Sequence, residues 1–372
     1  MQLKFWRHDL QLTHAWAIAG SAAKHVHPVV FARLTAADGT TGLGEAAPSR
    51  RYHETVESAQ KFFAQVDPQK LSFADVAGST AYLNALAPGE FSAKSALNVA
   101  LLDGAAKLAR QPLHDFLGLG FREPPGLEFR LQAARANVED LPPKGGTPNM
   151  NPHVTSFSIG IDHSPVIRKK VLAVTEFPIL KMKLGSVHDR ENLAALRTAA
   201  PTKRLRVDAN EAWPTKEDAL ANIEWLAGDG HIEFVEQPMP ANASAADLRW
   251  LKARSPLPLF ADESYHFAAD AERCAEFFHG VNVKLSKTGG VTAAIAALRA
   301  AKKSGLQTML GCMIESSALI SAAAHLAELA DFLDLDGNLL ISNDPFHGVT
   351  AEQGILSFGK VTEQFGLRVS AK

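Results

Sequence analysis

The chain has 372 residues, of which 46% are hydrophobic and 21% charged, and its formal net charge is -2 at pH 7. This composition is typical of a soluble globular protein with about two domains, and it gives no reason to expect nucleic acid or a membrane as a partner. The two cysteines, Cys274 and Cys312, cannot form a disulfide framework, so we expect a reducing, cytoplasmic location.

The N-terminal residues 1–123 are predicted to form an α+β unit. Three strand-like runs come first, and an Asp-Gly turn at 38–39 joins the second to the third. Helical segments follow, the clearest over 93–109, where small and apolar residues line one stripe. The stretch 124–153 is rich in proline and glycine, which predicts a linker or an insertion.

Residues 154–340 alternate short apolar runs with helix-like segments. Eight such runs occur, and the polar ends of the second to the sixth lie 22 to 28 residues apart. A strand, a crossover helix and two short loops need about that many residues. The pattern predicts a closed parallel (β/α) barrel. An open doubly wound sheet is the alternative, but no glycine-rich phosphate loop follows a strand.

Charged residues end five successive predicted strands. In chain order they are Lys183, Asp208, Glu236, Asp262 and Lys284. The active site of such a barrel lies at the carboxyl ends of its strands, so we expect these side chains to converge. The alternative, that all five are solvated loop residues, is hard to reconcile with five strands in succession.

Three of these residues, Asp208, Glu236 and Asp262, are carboxylates on adjacent strands and would repel one another without a cation between them. Oxygen ligands without nearby Cys or His favour Mg²⁺. Lys183 and Lys284 lie on strands half a turn apart and should face each other across the site. A substrate carboxylate on the metal would place its α-carbon between the two amines, with the metal stabilising the enolate.

Alternation of side chains along a strand adds two residues to this site. Lys181 points to the same side as Lys183, and Asn210 points to the same side as Asp208, which it is expected to support. Close packing of the two lysines and the cation should lower the lysine pKa values. Lys287 is the alternative to Lys284, but it is predicted to lie in the turn after the strand.

The chain resembles the enolase superfamily, muconate-lactonizing subgroup, over nearly its whole length. The motifs that carry this resemblance are Lys181-Met182-Lys183, Asp208-Ala209-Asn210, Val235-Glu236-Gln237-Pro238, Ala261-Asp262-Glu263-Ser264 and the run from Val283 to Gly290. The resemblance implies an α/β fold, a modified (β/α)7β TIM-type barrel with an α+β capping domain that residues 341–372 complete. It also implies a homo-oligomer, three carboxylate ligands for Mg²⁺ and an acid/base pair of Lys183 and Lys284.

Within the subgroup, Asp334-Leu335-Asp336-Gly337 resembles the dipeptide epimerases. There the two aspartates hold the free ammonium group of the substrate, and Ile314, in the segment before the last strand, is an expected substrate contact. The resemblance implies an isomerase that epimerises the α-carbon of a dipeptide by two-base proton transfer. A simple Asp-x-Asp-Gly turn is the alternative.

The first capping loop departs from the pattern of the members specific for Ala-Glu, which use an arginine there. No arginine occurs between Thr13 and Phe31, and Lys24 is the expected side-chain contact instead. Arg50 or Arg51 of the second capping loop could compensate. Other reactions of the scaffold stay open, namely N-acyl amino acid racemisation, o-succinylbenzoate synthesis and cycloisomerisation. A binding protein without catalysis is a further alternative.

Overall fold

The computed structural model describes residues 1–124 and 153–372, so the predicted insertion at 124–153 lies almost wholly outside the described residues. The N-terminal sheet is antiparallel, in the order β1 (Gln2–Trp16), β2 (Lys24–Thr35) and β3 (Thr41–Ala46). Its helices are α1 (Val56–Gln65), α2 (Val76–Leu86), α3 (Phe91–Leu108) and α4 (Leu113–Phe116). This is the α+β unit that the sequence predicted.

Strand β3 lies directly against α3, because Gly42 and Gly44 leave the inner face of the strand without side chains. A Cβ atom at Gly44 would lie 1.8 Å from the carbonyl oxygen of Ala96. On its other side, α3 reaches the rest of the chain through Asn98, whose Nδ2 donates to Thr292 Oγ1 at 2.9 Å. The buried helix therefore joins the N-terminal sheet to the second part of the protein.

Eight parallel strands follow in sequence order around one sheet. They are β4 (Phe157–Ile159), β5 (Ile179–Lys183), β6 (Arg204–Asp208), β7 (Ile232–Glu236), β8 (Leu259–Ala261), β9 (Gly280–Lys284), β10 (Gln307–Gly311) and β11 (Phe332–Asp334). The helices between them are α5 (Ser164–Leu172), α6 (Asp189–Ala199), α7 (Lys216–Ala227), α8 (Ala245–Arg254), α9 (Ala271–Phe277), α10 (Leu285–Thr288), α11 (Val291–Lys303) and α12 (Ser317–Ala324). In the described ranges no helix is both long enough and apolar enough to cross a membrane.

The first and last strands of this sheet meet and close it. Thr155, just before β4, forms a parallel bridge with Leu333 of β11. The backbone N–H of Leu335 also donates to Thr155 Oγ1 at 2.7 Å. Each of the seven steps from one strand to the next contains a helix, with α10 as an additional short turn before α11. The predicted (β/α)7β barrel is confirmed.

Aromatic side chains fill the barrel below the carboxyl ends of its strands. Phe234, Phe260 and Phe332 pack against one another, with Phe234 and Phe260 stacked at 4.1 Å between ring centroids. Each phenylalanine lies two residues before an acidic residue, so the ring and that acidic side chain point to the same face of their strand. These rings form an apolar floor that closes the site from below and lowers its dielectric constant.

The C-terminal segment returns to the N-terminal unit. Its strands are β12 (Phe346–His347), β13 (Thr350–Glu352), β14 (Ile355–Ser357) and β15 (Ser370–Ala371). Ile341 bridges Leu12 of β1, and Gly366 bridges Pro112 before α4. These contacts join the C-terminal segment to the N-terminal unit. The domain boundaries, including the completion of the capping domain by 341–372, stay a prediction.

Two buried histidines meet where α4, α12 and the C-terminal segment pack together. His114 Nδ1 lies 2.7 Å from His325 Nδ1, and His325 Nε2 lies 3.1 Å from the carbonyl oxygen of Leu367. Because a carbonyl oxygen only accepts, His325 carries its proton on Nε2, and His114 Nδ1 donates to His325 Nδ1. Burial lowers the pKa of His114 and holds the pKa of His325 well below its ordinary value. Both rings are therefore neutral in the folded protein.

We expect this histidine pair to lower the free energy of unfolding as the pH falls below about 6.5, the ordinary pKa of histidine. Below that pH the unfolded chain binds protons that the folded pair does not bind. The free energy of unfolding then falls by up to about 1.4 kcal/mol per pH unit for each histidine. Urea unfolding at two pH values, near 7.5 and near 5.5, measures the loss. A His114→Gln/His325→Gln double variant should lose less on acidification, and an equal loss in the two proteins would contradict this account.

Candidate active site

Three carboxylates converge at the carboxyl ends of neighbouring strands. Asp208 ends β6 and is in register with Glu236, which ends β7, and Asp262 directly follows β8. All three side chains are buried, and one oxygen atom from each lies within 4.8 Å of the other two. The structure thus brings the predicted metal ligands together.

The two predicted bases lie on opposite sides of this carboxylate group. Lys183 Nζ, at the end of β5, donates to Asp208 Oδ2 at 2.6 Å. Lys284 Nζ, at the end of β9, donates to Asp262 Oδ2 at 2.7 Å. Since β5 and β9 are four strands apart in a ring of eight, the two amines approach the site from opposite walls.

Lys287, the alternative to Lys284, is held in place by hydrogen bonds to Asp262 and Asn282. It lies in α10, directly after β9, as the sequence predicted. Its Nζ donates to the backbone oxygen of Asp262 at 2.5 Å, to Asp262 Oδ1 at 2.6 Å and to the backbone oxygen of Asn282 at 3.0 Å. These contacts use all three ammonium protons. The geometry therefore favours Lys284 as the base and Lys287 as a support for Asp262.

Lys181 has a pKa shift opposite to the direction expected from the sequence. Burial lowers the pKa of Lys181, but the surrounding carboxylates, led by Asp334, outweigh burial and raise this pKa well above its ordinary value. Burial also lowers the pKa of Lys284, but the negative charge of Asp262 outweighs burial and raises this pKa well above its ordinary value. The expectation assumed a cation among the carboxylates. A divalent cation on the same oxygens would counteract the increase.

Two amide side chains support the carboxylates, and the sequence reasoning missed both. Asn282 Nδ2 donates to Glu236 Oε1 at 2.7 Å. Gln237 Oε1 accepts from the backbone N–H of Asp262 at 3.0 Å, which ties the end of β7 to the end of β8. Asn282 lies two residues before Lys284, so the alternation rule already placed its side chain inside the barrel. Gln237 belongs to the Val235-Glu236-Gln237-Pro238 motif, but the sequence assigned it no role.

Asn210, predicted to support Asp208, does so through its backbone. Its N–H donates to Asp208 Oδ1 at 2.9 Å, and its side-chain Nδ2 lies 3.4 Å from Glu263 Oε1. Glu263 was not singled out from the sequence. Burial, with the negative charges of Asp262 and Asp208, raises the pKa of Glu263 to about 8. Its carboxyl group therefore adds a titratable site beside the metal ligands.

The second capping loop is attached to the barrel by an ion pair. Arg51 donates to both carboxylate oxygens of Glu211, from Nε at 2.5 Å and from Nη2 at 2.7 Å. Glu211 lies shortly after β6, and its other neighbour is the backbone N–H of Ala241 at 2.7 Å. Arg51 is therefore engaged within the protein, which argues against its use for a substrate carboxylate.

The remaining predicted substrate contacts lie in different surroundings. Asp334 and Asp336 are both buried at the end of β11, and Ile314 is buried in the loop after β10. Lys24 opens β2 opposite Trp16 and is exposed to solvent. The two aspartates thus lie at the end of the strand that closes the barrel, whereas the role of Lys24 stays a prediction.

Comparison with known proteins identifies the family. Residues 8–118 match the model described as mandelate racemase / muconate lactonizing enzyme, N-terminal domain, and residues 167–349 match the enolase C-terminal domain-like model. The chain belongs to the mandelate racemase/muconate lactonizing family of the enolase superfamily. The predicted resemblance is confirmed, and the epimerases and racemases among the relatives of this chain are isomerases.

Several family members are similar over the whole chain. An L-Ala-D/L-amino acid epimerase of Pedosphaera parvula is 57% identical over 100% of both chains, and an L-Ala-D/L-Glu epimerase of Bacteroides thetaiotaomicron is 35% identical over 95% of this chain and 84% of its own. Among solved structures, a dipeptide epimerase of Cytophaga hutchinsonii complexed with Mg and D-Ala-L-Val matches with a TM-score of 0.83 and 26% identity, covering 100% of this chain and 95% of that one.

The carboxylate group of this chain suits the divalent metal of the family. Glu236 Oε2 is buried and accepts no hydrogen bond within the described residues, although Lys181 Nζ lies 2.7 Å away. The three ligand atoms are all carboxylate oxygens, and neither Cys nor His belongs to the group. Such an all-oxygen donor set favours a hard cation.

Proposed function

We propose that this protein is a Mg²⁺-dependent epimerase that inverts the α-carbon of one residue of a dipeptide by two-base proton transfer. One observation carries the proposal: Lys183 and Lys284 lie on opposite walls of the barrel, each bonded to one carboxylate of the predicted metal site. The dipeptide substrate class is supported by the relatives named as epimerases and by the Mg and dipeptide complex of the Cytophaga enzyme.

In this reaction one lysine Nζ removes the α-proton and the other returns a proton to the opposite face. The two lysines exchange tasks when the other epimer is the substrate, so the same site works in both directions. Asp208, Glu236 and Asp262 would hold Mg²⁺, which when bound supplies Lewis-acid stabilisation of the negative charge on the substrate carboxylate. The aromatic floor excludes water from below, which strengthens these electrostatic interactions.

Substrate recognition is assigned to residues outside the metal site. Asp336 is proposed to bind the free ammonium group, Ile314 to contact an apolar part of the substrate, and Lys24 to meet the second residue from the first capping loop. A homo-oligomeric state and a cytoplasmic location also belong to the proposal. They rest on the family resemblance and on the free thiols of Cys274 and Cys312.

Incubation with L,L-dipeptides in D₂O tests the reaction directly. We expect a gain of one mass unit, because the returning proton comes from a lysine in exchange with solvent. The readout is mass spectrometry of the recovered dipeptides, with heat-denatured protein as the control. If N-acylated amino acids exchange and free dipeptides do not, the dipeptide proposal is wrong, and the racemase alternative on the same scaffold replaces it.

Removal of the charge at Asp336 is expected to lower kcat/KM on a dipeptide about 10²-fold. A charged partner lost from a desolvated site typically costs about 2–5 kcal/mol. N-acetylation of the dipeptide should cost the wild type a comparable factor and should cost Asp336→Asn little further, because both changes remove the same interaction. Steady-state kinetics on both substrates measure this. Two independent, additive losses would contradict the assignment of Asp336 to the ammonium group.

A further inference from the structure

Glu211 joins three loops at the mouth of the barrel. It lies in the loop after β6, and its carboxylate accepts two hydrogen bonds from Arg51, at 2.5 Å from Nε and at 2.7 Å from Nη2. The same carboxylate accepts the backbone N–H of Ala241, in the loop after β7, at 2.7 Å. One side chain therefore ties the loops after β6 and β7 to the second capping loop, which comprises residues 47–55 between β3 and α1.

The backbone at Glu211 has a conformation that residues other than glycine rarely adopt. Asn210 and Glu211 have φ angles of 43° and 67°, so two consecutive residues lie in the left-handed region. The N–H of Asn210 donates to Asp208 Oδ1 at 2.9 Å, and the N–H of Glu211 donates to the carbonyl oxygen of Gln237 at 2.9 Å. Strained backbone persists only where its surroundings enforce it. The metal-ligand strands therefore fix the direction in which the Glu211 side chain points.

The second capping loop is anchored at its base within the N-terminal unit. The buried carboxylate of Glu54 accepts the backbone N–H groups of Phe91 and Ser92, at 2.5 and 3.1 Å, where α3 begins. These bonds fix the end of the loop to the capping helix but not to the barrel. Within the described residues, the hydrogen bonds from this loop to the barrel come from Arg51. The ion pair with Glu211 therefore holds the outer part of the loop in place.

Tyr52 follows Arg51 and extends towards the Lys284 side of the site. Its ring lies edge-on to His266, in the loop after β8, with 5.1 Å between the ring centroids and 87° between the ring planes. Burial raises the pKa of Tyr52, and the charge of Asp262 raises it further, whereas Lys284 lowers it. The hydroxyl group therefore stays protonated and lies within reach of the charges of Asp262 and Lys284.

We propose that Arg51 and Glu211 are positioning residues: their ion pair holds the second capping loop on the barrel and thereby fixes Tyr52 as a wall of the site beside Lys284. An isolated exposed ion pair contributes little, and Arg51 is 48% exposed. This pair, however, is bidentate, and its carboxylate is only 16% exposed and is also held by Ala241. The position of the loop does not depend on the substrate. Only the kinetic consequence rests on the proposed function.

Hydrogen–deuterium exchange of the substrate-free protein, read by mass spectrometry of peptides covering residues 47–55, tests the position of the loop. In Arg51→Met we expect exchange over this segment to rise at least about tenfold, because a short turn released from the barrel does not keep its own hydrogen bonds. Arg249→Met is the matched control, since Arg249 forms an exposed ion pair with Glu276 between α8 and α9. It should change exchange over 47–55 less than about twofold. Unchanged exchange in Arg51→Met, or an equal rise in both variants, would overturn the proposal.

A double-mutant cycle in steady-state kinetics tests whether the two residues act together. Arg51→Met and Glu211→Gln should each raise KM about tenfold, and the double variant should lose no more than the weaker single variant, because both changes remove one ion pair. Glu211→Gln keeps an acceptor for the N–H of Ala241. Mg²⁺ affinity in Arg51→Met should stay within about threefold of the wild type, since the metal ligands are unchanged. Additive losses, or a loss confined to kcat, would contradict the positioning role.

Tyr52→Ala tests whether the ion pair acts through Tyr52. Alone it should raise KM about as much as Arg51→Met does, and in the Arg51→Met background it should add less than about twofold, because the loop has already lost its place. A full additional loss in that background would mean that Arg51 acts without Tyr52, and the proposal would be wrong. If the wild type turns over no dipeptide, the proposed function fails, whereas the exchange measurement still decides the position of the loop.

Discussion

Replacing Lys183 or Lys284 by alanine should lower kcat for epimerisation at least about 10³-fold, within the range typical of a lost general acid or base. The structural reason is that the two amines lie on opposite walls of the barrel and contact different carboxylates, Asp208 and Asp262. Neither amine can therefore take over the task of the other. Steady-state rates of epimer formation, measured by chiral chromatography, provide the test.

Each lysine variant should still exchange the α-proton of one stereoisomer, and the two variants should differ in which stereoisomer exchanges. Deuterium incorporation measured separately for the two epimers reports this directly. Exchange of both epimers by Lys284→Ala would show that another group, with Lys287 the nearest candidate, acts on that face. Epimerisation at the wild-type rate in either variant would contradict the two-base assignment.

Removal of the metal should abolish activity, and Mg²⁺ should restore it. Loss of a residue that merely supports a metal ligand typically costs about 10–100-fold in affinity, so we expect Asp262→Asn and Glu236→Gln to weaken Mg²⁺ binding by about 10²-fold or more. The two variants complement each other, because Asp262 also holds Lys284 and Lys287, whereas Glu236 contacts Asn282 and Lys181.

Weakened binding in both variants would therefore point to the shared metal site and not to a disturbed lysine. Calorimetry measures the affinity, and thermal unfolding of the metal-free variants controls for loss of the fold. Full activity in excess chelator would contradict the metal assignment.

The barrel could be predicted because a parallel strand that ends in a charge leaves a simple pattern in the sequence. Every predicted strand from Phe157 to Asp334 is present, and the family resemblance is confirmed. Strand order then fixed which walls Lys183 and Lys284 would occupy. The alternation rule also placed Lys181 inside the barrel, since it needs only the sequence and a period of two.

The pairing of the inward side chains could not be predicted in the same way. Alternation puts Asp334 and Asp336 on one face, but it does not reveal that Lys181 and Ser156 already occupy the first of them. The engagement of Arg51 by Glu211 joins residues 160 positions apart, and only the packing of the capping loop on the barrel brings them together. Such long-range contacts depend on geometry that no local pattern encodes.

The return of the C-terminal segment to the N-terminal unit has a consequence for synthesis. The buried carboxylate of Asp103 in α3 accepts a hydrogen bond from the backbone N–H of Leu367, 264 residues later in the chain. Phe346 likewise covers Phe31 of β2, with 5.1 Å between the ring centroids. During synthesis, the surface of the N-terminal unit that contacts the C-terminal segment therefore stays uncovered until the entire barrel has been translated. Its apolar surface stays open to chaperones, or to aggregation, until translation ends.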